Sequence, residues 1–178
     1  MKGSKVASRY AQSLLDLAVE RNVLDKINGD MKSLASVCRE SKDLQNLLKS
    51  PIVNSDMKIK AFNEIFGKSM DEMSLGFVKL IVKNKRGAIL SQIAESFTSL
   101  YKEHNNILEV TVVSAKALEN TVKDKILARV QENHSGTIEL TEEVDEALIG
   151  GFVVKMGDKQ IDSSIARQLT NLNNILLN

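Results

Sequence analysis

A chain of 178 residues is long enough to bury a real core, as one compact domain or as two small ones. Apolar residues make up 43% of it, with one proline and no tryptophan, a mix that suits helices better than a sandwich of many turns. A net charge of +1 argues against a general nucleic-acid binder and against an acidic tail protein.

The first hundred residues read as successive helices. Ala7, Tyr10, Ala11, Leu14, Leu15 and Ala18 recur at three- and four-residue spacing, the mark of one buried helical face. After Arg21-Asn22 a second helix presents Leu24, Ile27, Met31, Leu34 and Cys38, and Gly29 weakens it by about 1 kcal/mol without breaking it. A short helix holds Leu44, Leu47 and Leu48. Ser50-Pro51 stops it, because the residue before proline avoids the α region.

Asn54 or Ser55 is placed to cap a fourth helix, which is expected to bury Met57, Ala61, Phe62 and Ile65 and to end at Gly67. A fifth, over residues 71–84, carries Leu75, Val78, Ile81 and Val82, and the basic turn Asn84-Lys85-Arg86-Gly87 follows. A long sixth helix lines up Leu90, Ile93, Ala94, Phe97, Leu100 and Tyr101. Six helices joined by short loops describe a bundle.

Past His104-Asn105-Asn106 the period changes. Residues 107–115 are β-branched and extended. A helix over residues 120–133 carries Val122, Ile126, Leu127 and Val130, and Ser135-Gly136 turns the chain into a strand over residues 137–141. Residues 150–156 form a third strand, and Gly157-Asp158 is a hairpin turn into Gln160-Ile161. Asp162 or Ser163 then caps a terminal helix bearing Ile165, Leu169, Leu172 and Leu176. The fold class expected is α+β, a six-helix bundle followed by a small α/β domain.

Charge divides at the same place as the period. Residues 1–106 hold 17 Lys and Arg against 12 Asp and Glu, whereas residues 107–178 hold 7 against 11. All Phe and Tyr except Phe152 lie in the first part. Both shifts set a domain boundary near residue 106.

Little of this carries chemistry. Cys38 is alone, which rules out an intramolecular disulfide, and its place on an apolar helix face suits a buried thiol in a reducing compartment. His104 and His134 have no ligand-spaced partner, and no CxxC, HExxH or GxSxG occurs. Gly150, Gly151 and Gly157 sit on a strand and a turn and lack the lysine and helix start of a phosphate cradle. The acidic run Glu142-Glu143-Val144-Asp145-Glu146 lacks the alternating ligands of a calcium loop and reads as a solvated connection. Lys83, Lys85 and Arg86 read as a solvated helix end whose charges favour the helix dipole. The N-terminal stretch lacks the unbroken apolar run of a signal peptide, and no segment has the length to cross a bilayer.

Two helices are left over by these exclusions. The one bearing Ala7, Tyr10, Ala11 and Leu14 uses small residues on part of its face, and residues 75–82 are apolar nearly all round. Such a pair is either ordinary bundle core or the wall of a groove for a partner's amphipathic helix.

The residue strings decide what the pattern leaves open. Val6-Ala7-Ser8-Arg9-Tyr10-Ala11-Gln12-Ser13-Leu14 resembles the opening helix of the ATP synthase delta and oligomycin-sensitivity-conferring family. Leu48-Lys49-Ser50-Pro51 with Lys58, then Asn84-Lys85-Arg86 with Leu90, Ile93 and Phe97, are similar to later segments of it, as is Val112-Val113-Ser114-Ala115. The most specific likeness is Gly150-Gly151-Phe152-Val153-Val154, Gly157-Asp158 and Ile161-Asp162-Ser163-Ser164, then Leu169. Ser163 departs from it, since the family often has glycine there.

The resemblance implies a non-catalytic stator subunit of a proton-driven F-type ATP synthase, with no cofactor. Residues 1–106 would cap the catalytic head by binding N-terminal helices of alpha subunits, and residues 107–178 would engage the b subunits of the peripheral stalk. Ala7, Tyr10, Ala11, Leu14, Leu75, Val78 and Val82 would line the alpha-helix groove. Gly150, Gly151, Gly157, Asp158, Asp162 and Ser164 would belong to the stalk domain, as scaffold or as contact surface. It implies a peripheral place on the cytoplasmic face of the inner membrane, no bilayer insertion and no nucleic acid. The alternative is a small nucleic-acid-binding module using Lys83, Lys85 and Arg86.

Overall fold

Small side chains set how the first helix packs. Helix α1 (Lys5–Glu20) turns Ala7, Ala11, Leu14, Leu15 and Ala18 inward, and its three alanines are fully buried. It ends in a Schellman turn: Asn22 takes φ 56°, Asn22 N–H donates to Val19 and Val23 N–H donates to Ala18. Helix α2 (Leu24–Glu40) then buries Ile27, Met31, Leu34 and Cys38 in the same core. In this computed structural model the described residues are 5–116, 120–132, 135–145, 148, 150–157, 159–165, 167 and 169. The chain divides into two units, Met1–Tyr101 and Lys102–Asn178.

Helices α3 (Lys42–Lys49) and α4 (Ser55–Phe66) are joined around Pro51. Ser41 caps α3 by accepting from Leu44 N–H at 3.2 Å. At the other end the Lys58 ammonium donates to the Leu48 carbonyl at 3.0 Å and to the Ser50 carbonyl at 2.7 Å. One side chain thus satisfies two carbonyls that a helix terminus leaves open.

Helix α4 buries Phe62 of the face expected of it, but not Met57 or Ile65. Met57 and Ile65 are 65% and 52% exposed, while Phe62 and Phe66 are buried with ring centroids 4.5 Å apart. Two phenylalanines hold more apolar area than a methionine and an isoleucine, and a short helix rotates to bury the larger pair. Asn54 makes no side-chain cap. Ser55 Oγ instead donates to the Val82 carbonyl at 3.3 Å.

Helix α5 (Glu72–Lys83) is capped by Asp71, which accepts from Met73 N–H at 2.9 Å. It buries Ser74, Val78, Ile81 and Val82. A second Schellman turn ends it, with Lys85 at φ 59°, Lys85 N–H on Val82 and Arg86 N–H on Ile81. A 3-10 turn (Gly87–Ile89), absent from the sequence reading, leads into α6 (Leu90–His104), which buries Leu90, Ile93, Ala94 and Phe97.

The second unit is a mixed sheet with one packed helix, α7 (Asn120–Gln131). Its strands, β1 (Ile107–Ser114), β2 (Thr137–Val144), β3 (Phe152–Met156) and β4 (Lys159–Asp162), lie in the order β2-β1-β3-β4. Strand β1 pairs parallel with β2 and antiparallel with β3, as a crossover through α7 requires. Val110, Val112, Ile126, Val130 and Val154 form its core. Glu142 and Glu143, read above as a connection, belong to β2 opposite Val112 and Val113, and Lys123 of α7 pairs with Glu142 at 2.6 Å. Parallel pairing to a central strand carries β2 past its apolar half. The division into units falls inside α6, since Lys102 pairs with Glu109 at 3.1 Å and with Glu139 at 2.7 Å.

Met156 pairs with Lys159, so the hairpin turn spans two positions, of which Gly157 has φ 56° and Asp158 lies outside the described residues. Ile165, Arg167 and Leu169 are helical, while Leu172 and Leu176 of the expected terminal helix lie outside the described residues, as does His134. Overall the described chain is α+β, with seven α-helices and a four-stranded mixed sheet.

Replacing Lys58 with methionine keeps the stem and leaves two carbonyls at the end of α3 without their charged donor. The expected outcome is a loss of about 1–3 kcal/mol in urea unfolding followed by circular dichroism.

Candidate functional site

The residues assigned to a groove separate into two sets. Ala7, Ala11, Leu14, Val78 and Val82 are at most 2% exposed and belong to the core of the first unit. Tyr10 and Leu75 are half-buried and pack against that core. The opening lies beside these residues. A groove of about 690 Å³ runs between the end of α1 and α5, lined by Leu17 and Arg21 on one wall and by Met73, Gly76, Phe77 and Leu80 on the other.

Its shape follows from the sequence of α5. Met73, Phe77 and Leu80 recur at helical spacing on a second apolar face, beside the one that faces the core. Leu80 is 52% exposed and Leu17 is 37% exposed. Gly76 leaves the middle of this wall bare, and a Cβ built there meets nothing within 4 Å. Sequence reasoning noticed that α5 is apolar nearly all round but named the inward residues. The second stripe at 73, 77 and 80 is the signal that finds the outward ones.

The floor at the α5 N-terminus is held by charge. Asp71 pairs with Lys26 at 2.8 Å, and its own N–H donates to Asp30 Oδ2 at 2.9 Å. The hydrogen bond from Lys26, with that from Met73 N–H, holds the Asp71 carboxyl below the usual carboxylate range. At the far end Lys83, Lys85 and Arg86 are exposed, and the Arg86 guanidinium lies 5.4 Å from the centroid of the Tyr10 ring.

In the second unit the glycine and serine residues converge on one junction. Gly151 has φ 81°, and a Cβ there would lie 2.5 Å from the Ser163 carbonyl oxygen and 2.9 Å from Ser164 Cα. Ile165 N–H donates to the Gly150 carbonyl and Ser163 N–H to the Phe152 carbonyl, each at 3.0 Å. Asp162 Oδ1 accepts from Ser164 N–H at 2.9 Å, and Ser164 Oγ accepts from Arg167 N–H at 3.3 Å. Hydrogen bonds from Ser164 hold the Asp162 carboxyl below its ordinary pKa. These contacts clamp the start of β3 against the chain leaving β4. Ser163, which replaces a family glycine, does not take positive φ. Beside the clamp an apolar pocket of about 580 Å³ opens between α7 and the sheet, lined by Val122, Ile126, Phe152, Val154 and Ile161. Sequence reasoning did not find it, because its residues come from three separate elements.

Among the described residues no group of three or more His, Cys, Asp or Glu is placed to hold a metal ion. Each unit instead offers an apolar opening. Residues 6–176 match the family described as ATP synthase delta (OSCP) subunit. ATP synthase subunit delta of Cytophaga hutchinsonii is 35% identical over 174 residues, covering 98% of this chain and 95% of that one. The same subunit of Chlorobaculum tepidum is 36% identical, covering 99% and 98%. A chain of the Toxoplasma gondii mitochondrial ATP synthase hexamer, 21% identical, shares the fold with a TM-score of 0.77 over 98% of this chain and 99% of that chain.

The chain belongs to the ATP synthase delta (OSCP) subunit family. It is a structural, non-catalytic subunit of the F-type ATP synthase peripheral stalk, part of a membrane-associated complex. None of its described helices is long and apolar enough to cross a membrane.

Two measurements test these geometries. A depressed folded pKa at Asp71 lends stability that is complete above the ordinary aspartate value and is lost as pH falls through the lowered one. Asp71→Asn keeps a capping side chain but loses the ion pair, so its thermal midpoint should lie below that of the parent chain at neutral pH and converge with it in acid. Gly151→Ala is expected to cost about 1–3 kcal/mol or more, because positive φ and backbone overlap act together. Gly157→Ala, with open space around its Cβ, pays only the conformational part, about 1–2 kcal/mol.

Proposed function

We infer that the first unit attaches the subunit to the catalytic head by taking an N-terminal helix of an alpha subunit into the groove between α1 and α5. The second unit holds the end of the b-subunit stalk, with the apolar pocket between α7 and the sheet as its seat. The six helices of the first unit act as one bundle in this role, at the cytoplasmic face of the inner membrane during proton-driven synthesis.

The observation that carries this reading is the bare apolar wall of α5. Leu80 at 52% exposure, beside Phe77 and the gap at Gly76, is costly to leave in water on a lone chain and is suited to an amphipathic helix. Tyr10 contributes at the rim, over which Arg86 is stacked. The buried members of the expected set, Ala7, Ala11, Leu14, Val78 and Val82, act from beneath by fixing the spacing of the two walls. Gly150, Gly151, Asp162 and Ser164 serve the stalk end in the same indirect way, as a clamp that sets the sheet edge beside the pocket.

Gly76 makes the reading testable without touching the fold. Its φ is not positive and its Cβ position is open, so Gly76→Leu should hold or raise stability by up to about 1 kcal/mol. The leucine would fill the groove. Titration calorimetry of the full chain with a peptide of the cognate alpha-subunit N-terminus should give saturable binding for the parent and a loss of at least about tenfold for the variant. Leu80→Asp should act likewise in a chain with unchanged circular dichroism. Equal affinity in both folded variants removes the groove from the function.

A further inference from the structure

Two strings of the first unit contribute no lining residue to the groove: Leu48-Lys49-Ser50-Pro51 with Lys58, and the basic turn after α5. The fold brings them to one end of the bundle. Ser55 Oγ, at the start of α4, donates to the Val82 carbonyl at 3.3 Å. A Cβ built at Gly87 would lie 3.2 Å from the Leu48 carbonyl oxygen. The end of α3, the start of α4 and the end of α5 therefore share one surface.

The connection from α3 to α4 is pinned on both sides of its outermost residue. Before it, the Lys58 ammonium holds the Leu48 carbonyl at 3.0 Å and the Ser50 carbonyl at 2.7 Å, and Pro51 fixes its own φ. After it, Ser55 is tied to Val82. The residue between is Ile52, 92% exposed. Val53 is half-buried, and Met57 in the first turn of α4 is 65% exposed. A lone aliphatic side chain on a surface needs no explanation. One carried at the tip of a pinned loop has already lost the freedom that binding would cost it, which suits an anchor.

The ground around this tip is basic. Lys49, Lys83 and Lys85 are exposed, and none of them forms an ion pair among the described residues. Residues 44–55 and 73–94 contain no Asp or Glu at all. The helix dipole accounts for Lys49 and Lys83, each in a last turn. It does not account for Lys85, which takes φ 59° past the end of α5. Charge of one sign gathered in this way repels itself, and a surface of the opposite sign relieves the cost. Residues 44–60 and 83–89 contain no aromatic side chain to stack on bases, which favours a protein over a nucleic acid as the partner.

We propose that this end of the bundle is a second docking surface, which takes an acidic segment of a neighbouring subunit of the synthase. An apolar cleft of that segment seats over Ile52, and its carboxylates lie against Lys49, Lys83 and Lys85. The contact is separate from the groove and rests only on the chain's membership of the complex. Ile52 supplies the anchor, and the lysines speed and select the encounter.

The test uses the purified, assembled synthase with Ile52 replaced by the photo-crosslinking residue p-benzoylphenylalanine. Irradiation and peptide mapping should join position 52 to a segment of another subunit in which Asp and Glu outnumber Lys and Arg. The double variant Lys49→Gln, Lys83→Gln changes only exposed positions. In complexes that still hold the subunit it should lower the yield at least about fivefold, and high salt should do the same to the parent. Attachment to lipid or nucleic acid, to a segment without that excess of carboxylates, or to no chain at all overturns the proposal. A yield that neither the variant nor salt changes refutes the charge contacts and the acidic partner with them. None of these results bears on the groove, which peptide titration reads by itself.

Discussion

Helix α5 carries more apolar circumference than the core of its own unit covers, and the rest of the molecule is arranged around that excess. One face, with Val78, Ile81 and Val82, is buried against the bundle. The adjacent face, with Met73, Phe77 and Leu80, lines an open groove beside Leu17 and Arg21. Keeping such a face open demands rigid flanks, because a mobile neighbour would collapse onto it to remove apolar area from water. The flanks are rigid for identifiable reasons. The start of α5 is tied to α2 through Asp71, Lys26 and Asp30, and its end is closed by a Schellman turn and by Ser55 on the Val82 carbonyl. Alanines at 7, 11 and 18 let α1 sit close to the core, so its own outward residues reach the groove rim.

The same logic accounts for the second unit in other materials. Its core is small, and a four-stranded sheet with one covering helix has little apolar area to hold irregular connections in place. The junction of Gly150, Gly151, Asp162 and Ser164 does so with hydrogen bonds and close backbone approach instead. Gly151 permits the approach because any side chain there would occupy the space of the Ser163 carbonyl. A sequence string that recurs as a family likeness therefore reports a clamp, and the apolar pocket beside it is what the clamp positions.

Helix existence and strand existence were legible in the sequence because each rests on a local period. Helices α1, α2, α5 and α6 lie where their apolar spacing puts them, and strands β1 and β3 where β-branched runs begin. Which face turns inward was less legible where a helix is apolar on two sides. On α4 the competition between Met57, Ile65 and the two phenylalanines was settled by packed area, which spacing does not report. On α5 both stripes satisfy the same period, so spacing alone does not say which of them the core covers. The left-handed residues Asn22 and Lys85 escaped notice since neither is glycine, the usual signal for that turn. Glu142 and Glu143 look like loop residues in isolation, and their strand conformation comes from a partner strand far along the chain.

Magnitudes say which contacts of the open face matter. Finishing the burial of Leu80 at 52% exposure, of Leu17 at 37% and of the partly buried Phe77 is worth on the order of 1 kcal/mol or less each, given about 1.5–3 kcal/mol for a fully buried side chain. Exposed charge contacts are individually weaker, about 0.3–1 kcal/mol, and salt screens them. The apolar stripe of α5 therefore outweighs the charges around it as a source of affinity, while charge at the rim acts more on the rate and selectivity of encounter.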